Sequence, residues 1–129
     1  MISFIVIGRN EGWKLKKCIQ SILDTIIYNK LDNYEIIYVD SQSTDDSLDI
    51  AKSFGSIKIF QITGTYNAAI GRNIGANESK GEILFFIDGD MEIIPDFLHL
   101  VYAQQIGLKY DFVSGQFENN YYDNNGNFL

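Results

Sequence analysis

Nearly unbroken apolar runs alternate along this chain with stretches whose apolar residues recur every three or four positions. Ile2 to Ile7 is a first run, ended by Gly8, and reads as a buried strand. Leu15, Cys18, Ile19, Ile22, Leu23 and Ile26 then mark one face of a helix. Tyr34 to Val39 repeats the strand pattern and ends at Asp40, and the cap-forming residues Ser41 to Asp46 lead into a second helical face at Leu48, Ala51 and Phe54, closed by Gly55. Ile57 to Ile62 is a third strand. Tyr66 to Ser79 keeps helical spacing despite Gly71 and Gly75, whose separation would let that helix lie close to a neighbour or a ligand. Ile83 to Ile87 reads as an interior fourth strand, five apolar residues in a row bounded by polar positions. Pro95 opens another helix carrying Phe97, Leu98, Val101 and Tyr102, and Asp111 to Gly115 is expected to be a fifth strand. Strand and helix alternate throughout, which predicts an α/β fold: a doubly wound, mostly parallel sheet with right-handed crossovers.

The pattern changes near the end. Asn124-Asn125-Gly126 is a turn signal between Tyr121-Tyr122 and Phe128-Leu129, and four large apolar residues around a turn predict the start of a hairpin rather than a disordered tail. The expectation is a single domain over residues 1–129, with a core over 1–115 and the beginning of a further part over 116–129, so that the chain is read as incomplete at its C-terminus.

Composition narrows the function. A net charge of −7 over 129 residues argues against a nucleic-acid backbone as partner, and an anionic ligand would need a metal or local basic help. No stretch approaches a transmembrane span and no basic segment precedes the first apolar residues, so the cytoplasm, or the inner face of a membrane, is the expected location. The single cysteine, Cys18, lies on an apolar helix face and reads as a core residue.

Three strand ends carry polar groups: Gly8-Arg9-Asn10-Glu11, Asp40 to Ser43, and Asp88-Gly89-Asp90. In a doubly wound sheet all three lie at the carboxyl edge, where ligands bind. Asp88 and Asp90 repel one another unless a cation joins them, and a hard divalent ion, Mn²⁺ or Mg²⁺, suits such oxygen ligands. Gly89 is expected to allow a tight turn and a close ligand. Arg72 would offset the acidity of this edge. His99, Trp13 and Glu11 have plainer readings: helix surface, packing and helix cap.

With these four segments in order, the sequence resembles the family 2 glycosyltransferases of the GT-A fold. The resemblance rests on Ile7-Gly8-Arg9-Asn10-Glu11-Gly12, Val39-Asp40-Ser41-Gln42-Ser43-Thr44-Asp45, Gly71-Arg72-Asn73-Ile74-Gly75 and Asp88-Gly89-Asp90-Met91. It implies inverting transfer of a sugar from a nucleotide-sugar donor, UDP-linked by preference, to a hydroxyl of a glycan, lipid or other acceptor. Gly8, Arg9, Asn10, Glu11, Asp40, Arg72, Asp88 and Gly89 would bind the donor: Asp40 and Arg72 at the base, Asp88 near the ribose. Asp90, with Asp88, would hold the metal on the diphosphate. Arg9 stands where many members carry an aromatic residue, and the family's general base is expected beyond residue 129. The resemblance is compatible with the whole protein working at a membrane surface.

Rival readings fit less well. A haloacid-dehalogenase phosphatase carries its paired aspartates after the first strand, and Gly8-Arg9-Asn10-Glu11-Gly12 is not the glycine fingerprint of a nicotinamide enzyme. A nucleotidyltransferase would open on a basic glycine-rich loop. The alternative from another class is a non-catalytic nucleotide-sugar-binding fragment.

Overall fold

The computed structural model describes residues 1–103 and 106–129. Four parallel strands, β1 (Ile2–Gly8), β2 (Tyr34–Asp40), β3 (Lys58–Gln61) and β4 (Ile83–Asp88), form one sheet in the order β3-β2-β1-β4. The order reverses between β1 and β4, so the ligand crevice of such a sheet falls at the carboxyl ends of these two strands.

Alternation of side chains along each strand divides the core in two. Phe4, Val6, Ile36, Tyr38 and Ile87 face the helices α1 (Trp13–Tyr28), α2 (Ser47–Ser53) and α4 (Pro95–Val101). Ile5, Ile7, Ile37 and Val39 face α3 (Ala68–Glu78). Helices on both faces make the sheet doubly wound, as the alternating pattern predicts.

α3 fits closely because its glycines lie against β1. A Cβ on Gly71 would sit 3.3 Å from Ile7 Cγ2, and one on Gly75 would overlap Ile5 Cγ2. Gly75→Ala is therefore expected to destabilise the fold by about 1–2 kcal/mol, since overpacking outweighs the roughly 1 kcal/mol gained in helix propensity. Urea unfolding tests this; an unchanged or raised midpoint would show that α3 can move away without loss.

Three expectations are corrected. Among the described residues β4 pairs with β1 alone and stands at the end of the sheet rather than inside it: Leu84 and Phe86 are 38% and 42% exposed, because α3 covers β1 and β2 and leaves the β4 side of that face open. Residues 111–115 form no strand. Phe112 is exposed, only Val113 in the segment has the half-buried character that a strand face needs, and Gly115 lies against Phe97 of α4 rather than in a ladder. α4 stops at Val101, and Tyr102 opens the two-residue strand β5 (Tyr102–Ala103), which pairs antiparallel with β6 (Gly107–Leu108). The terminal hairpin forms as expected, with a bridge between Tyr122 and Phe128 and Gly126 at φ 82° in the turn. Among the described residues no helix is long and apolar enough to cross a membrane.

Candidate functional site

Parallel register brings the three polar strand ends together. Gly8 pairs with Asp40 and Ile7 with Asp88, and the chain leaving each strand stays tied to β1: the N–H of Ser41 donates to the carbonyl of Gly8 at 2.9 Å, and that of Gly89 to Ile7 at 2.7 Å. Between them opens a cleft of about 340 Å³, lined by Gly8, Arg9, Glu11, Asp88 and Asp90, together with Ile7, Ser41 and the 66–68 segment. This volume lies at the lower end of the range for small-molecule sites.

Two of the sequence segments hold each other in place. Asn10 adopts φ 54°, a left-handed conformation that asparagine tolerates, and its Oδ1 accepts from the N–H groups of Thr44 at 2.7 Å and Asp45 at 3.3 Å. In return the N–H of Asn10 donates to Ser43 Oγ, while those of Glu11 and Gly12 donate to Ser47 Oγ. Asn10 is thus a brace between the β1 and β2 loops and does not line the cleft.

Asp40 is fully buried. Its Oδ1 accepts from the hydroxyl of Tyr38 at 2.7 Å and its Oδ2 from the N–H of Ser43 at 2.8 Å, so it shapes the loop that presents Ser41. Burial, and then the adjoining Asp40 carboxylate, push the Tyr38 hydroxyl well above its usual range, keeping it a neutral donor. Arg72 pairs with Asp88, Nη2 to Oδ1 at 3.0 Å, and so offsets the acidity of this edge as expected. Both partners of that pair are nearly half exposed, so it orients Asp88 more than it stabilises the fold.

Gly89 sits in the tight turn expected of it, closed by the N–H of Met91 on the carbonyl of Asp88 at 2.9 Å. A Cβ there would lie 3.2 Å from the carbonyl oxygen of Ile7 and 3.3 Å from Glu11 Cγ, so packing against β1 also favours glycine. Glu11 does not cap α1, whose N-cap position is Gly12 and which has no side-chain cap. Its carboxyl is pushed up by burial and then by Asp90, with smaller contributions from Asp45 and Asp88 and an opposing one from Lys14. Three carboxylates, Glu11, Asp88 and Asp90, therefore share the lining of the cleft and repel one another there.

That repulsion is what a divalent cation relieves. Among the described residues no group of three or more metal-ligating side chains converges, so Asp88 and Asp90 would supply at most part of a six-oxygen shell, leaving positions for ligand oxygens and water. This donor set fits an ion bound jointly with a phosphate-bearing ligand better than a permanent structural ion.

The cleft lining also holds two residues the sequence reading missed, Tyr66 and Asn67. The Arg9 guanidinium lies over the Tyr66 ring, 5.2 Å from its centroid, and Asn67 caps α3 by accepting from the N–H of Ile70 at 2.8 Å. The cap was legible as an Asn just ahead of a helical pattern; nothing in the sequence alone placed Tyr66 opposite Arg9. Cys18 is buried and lies under the acidic loop, with burial pushing its thiol far above the reactive range. His99 is on the helix surface, and Trp13 packs against Tyr122.

A family model described as "Glycosyl transferase family 2" matches residues 3–129. Glycosyltransferase GlyG of Streptococcus pneumoniae is 30% identical over 132 residues, covering 99% of this chain and 42% of GlyG. The crystal structure of S. aureus TarS 1-349 in complex with UDP-GlcNAc superposes with a TM-score of 0.60 at 25% identity, over 76% of this chain and 29% of that one. Glucosyl-3-phosphoglycerate synthase from Mycobacterium tuberculosis, in complex with Mn²⁺, UDP and glucosyl-3-phosphoglycerate, gives a TM-score of 0.56 at 25% identity, over 77% of this chain and 37% of that one. The chain thus spans less than half the length of each of these proteins.

Proposed function

The chain belongs to glycosyl transferase family 2, and from that premise we propose that its cleft binds the nucleoside diphosphate of a sugar donor, UDP by preference, with a divalent ion held by Asp90 and Asp88. The observation that carries this reading is the meeting of Asp88, Asp90 and Glu11 with Arg9 and Tyr66 around one cleft at the reversal of strand order. The UDP complexes of TarS and of the phosphoglycerate synthase, the latter with Mn²⁺, support it.

In this reading each residue has a physical task. Arg9 and Tyr66 offer a flat cationic and aromatic wall to the base. Ser41 and Gly8 present a narrow polar floor, shaped from beneath by Asp40 and braced by Asn10. Arg72 orients Asp88 towards the ribose side, and Gly89 keeps the acidic loop tight against β1. A bound Mn²⁺ or Mg²⁺ would stabilise the negative charge that develops on the diphosphate as the sugar departs.

Transfer with inversion also needs a base within hydrogen-bond reach of the acceptor hydroxyl. The carboxylates of the cleft all crowd the metal and diphosphate side, so we assign that base to polypeptide outside residues 1–129. Acceptor choice among glycans, lipids and other hydroxyl compounds belongs there too.

Calorimetry tests the proposal directly. UDP should bind in Mn²⁺ with micromolar to submillimolar affinity, and EDTA should weaken it by at least roughly tenfold. Equal binding in the two buffers would remove the metal from the reading, and no binding of any nucleoside diphosphate would remove the donor site.

A further inference from the structure

The terminal hairpin docks at one place on the molecule. The Tyr122 ring meets Trp13 edge-on at 5.3 Å and Phe128 at 5.6 Å, and the Lys17 ammonium lies 5.0 Å from its centroid. Gly126 comes so close to Trp13 that a Cβ would lie 3.1 Å from the indole. The turn is closed by Asp123, whose Oδ1 accepts from the N–H groups of Asn125 and Asn127, both at 2.9 Å. Trp13 opens α1 two residues after Glu11. From the same ring, the Tyr122 hydroxyl donates to Glu92 Oε2 at 2.6 Å, two residues after Asp90.

One side chain thus touches the continuations of both loops on the acidic side of the cleft. Elsewhere the 88–93 loop is fixed through its backbone: Gly89 N–H to Ile7, Met91 N–H to Asp88 at 2.9 Å, and Ile93 N–H to Ser21 Oγ at 2.9 Å. Asp90 and Glu92 are exposed and lie between these anchors, so the hydroxyl of Tyr122 is the contact through which the hairpin reaches them. Ions of the Mn²⁺ and Mg²⁺ class tolerate little error in ligand position, and partners one step removed from the ligands set that position.

Resting on the donor and metal reading above, we propose that Tyr122 is a positioning residue for the metal-binding loop: through Glu92 it holds the stretch carrying Asp90, and through Trp13 it fixes that stretch relative to Glu11. Tyr122 does not line the cleft and makes no contact with donor in this reading. Its effect is confined to the geometry that a metal ion senses.

The test is UDP calorimetry on the whole chain in Mn²⁺ and in EDTA. Tyr122→Phe keeps the ring and its packing and removes only the hydroxyl. It should weaken Mn²⁺-dependent UDP binding roughly tenfold and leave binding in EDTA unchanged. Glu92→Ala should match it, the double variant should be no worse than either, and Glu92→Gln, which keeps an acceptor oxygen, should restore near wild-type affinity. A purely structural hairpin would lower Tm in Tyr122→Phe and leave the Mn²⁺ dependence intact, which would overturn the proposal. A wild-type chain that binds UDP equally in both buffers would overturn the metal reading and this inference with it; metal-dependent wild-type binding with an unaffected Tyr122→Phe would overturn this inference alone.

Discussion

Asp90→Ala should lower UDP affinity in Mn²⁺ about a hundredfold, a loss of about 2.7 kcal/mol, and bring it to the level the unaltered chain shows in EDTA. The expectation is specific because the side chain carries little of the fold. Asp90 is exposed, and the turn that presents it is held by the backbone N–H groups of Gly89 and Met91. Removing its charge also relieves Glu11, whose carboxyl is pushed up by burial and then by Asp90. The Tm of Asp90→Ala should therefore stay level or rise slightly while metal-assisted binding collapses. Asp88→Ala is a poorer probe, since it also leaves Arg72 without its carboxylate. Undiminished UDP binding by Asp90→Ala in Mn²⁺ would show that the metal, if one is bound, is held elsewhere.

Periodicity makes most of the framework legible in the sequence. Each strand of the parallel sheet came from an apolar run bounded by polar residues, and α1 from a stripe at Leu15, Cys18, Ile19, Ile22, Leu23 and Ile26, all buried as expected but for the half-buried Leu23. What periodicity does not encode is neighbourhood. The run Ile83 to Ile87 has the composition of a central strand, yet among the described residues it pairs with β1 alone, since strand order depends on crossovers and not on local pattern. Asp111 to Gly115 had strand-like residues but only one half-buried side chain, and packing against Phe97 prevailed over propensity.

The site divides in the same way. Residues that line the cleft from strand ends, Gly8, Arg9, Glu11, Asp88 and Asp90, were locatable because a parallel sheet gathers its strand ends at one edge. Roles that depend on a partner from another element were not. Asp40 is turned inward by Tyr38, Arg72 is taken by Asp88, and the Tyr66 ring lies under the Arg9 guanidinium. None of these pairings follows from spacing along the chain.

Glu35→Ala should cost about 2–4 kcal/mol at neutral pH, the largest stability loss expected of any polar substitution here. The signal was present in the sequence as two polar intrusions into apolar runs, Ser3 in β1 and Glu35 in β2, which the sheet register places side by side. Both are buried. Glu35 Oε1 accepts from Ser3 Oγ at 2.6 Å and from the N–H of Lys80, Oε2 accepts from Lys58 Nζ at 2.6 Å, and Ser3 Oγ in turn accepts from the N–H of Gly81 at 2.9 Å. One carboxylate so joins β1, β2, β3 and the turn entering β4, at the edge of the sheet opposite the cleft. Burial alone would raise its pKa, but the Lys58 ammonium, the Lys80 N–H and the Ser3 hydroxyl outweigh it and hold the group down at about 2, against 4.5 for an ordinary glutamate. A depressed carboxylate contributes stability that is complete above the unfolded-state value and lost as pH falls through the folded one, here between about 4.5 and about 2. With Lys58 nearly half exposed, the contribution is on the order of 2 kcal/mol after allowance for solvent screening. Urea unfolding of the unaltered chain and of Glu35→Ala at pH 7 and pH 3 should show a wide gap that narrows on acidification. A gap of constant width would assign the loss to packing in place of charge, and Glu35→Gln, which fills the same space without the charge, would then be nearly as stable as the unaltered chain at pH 7.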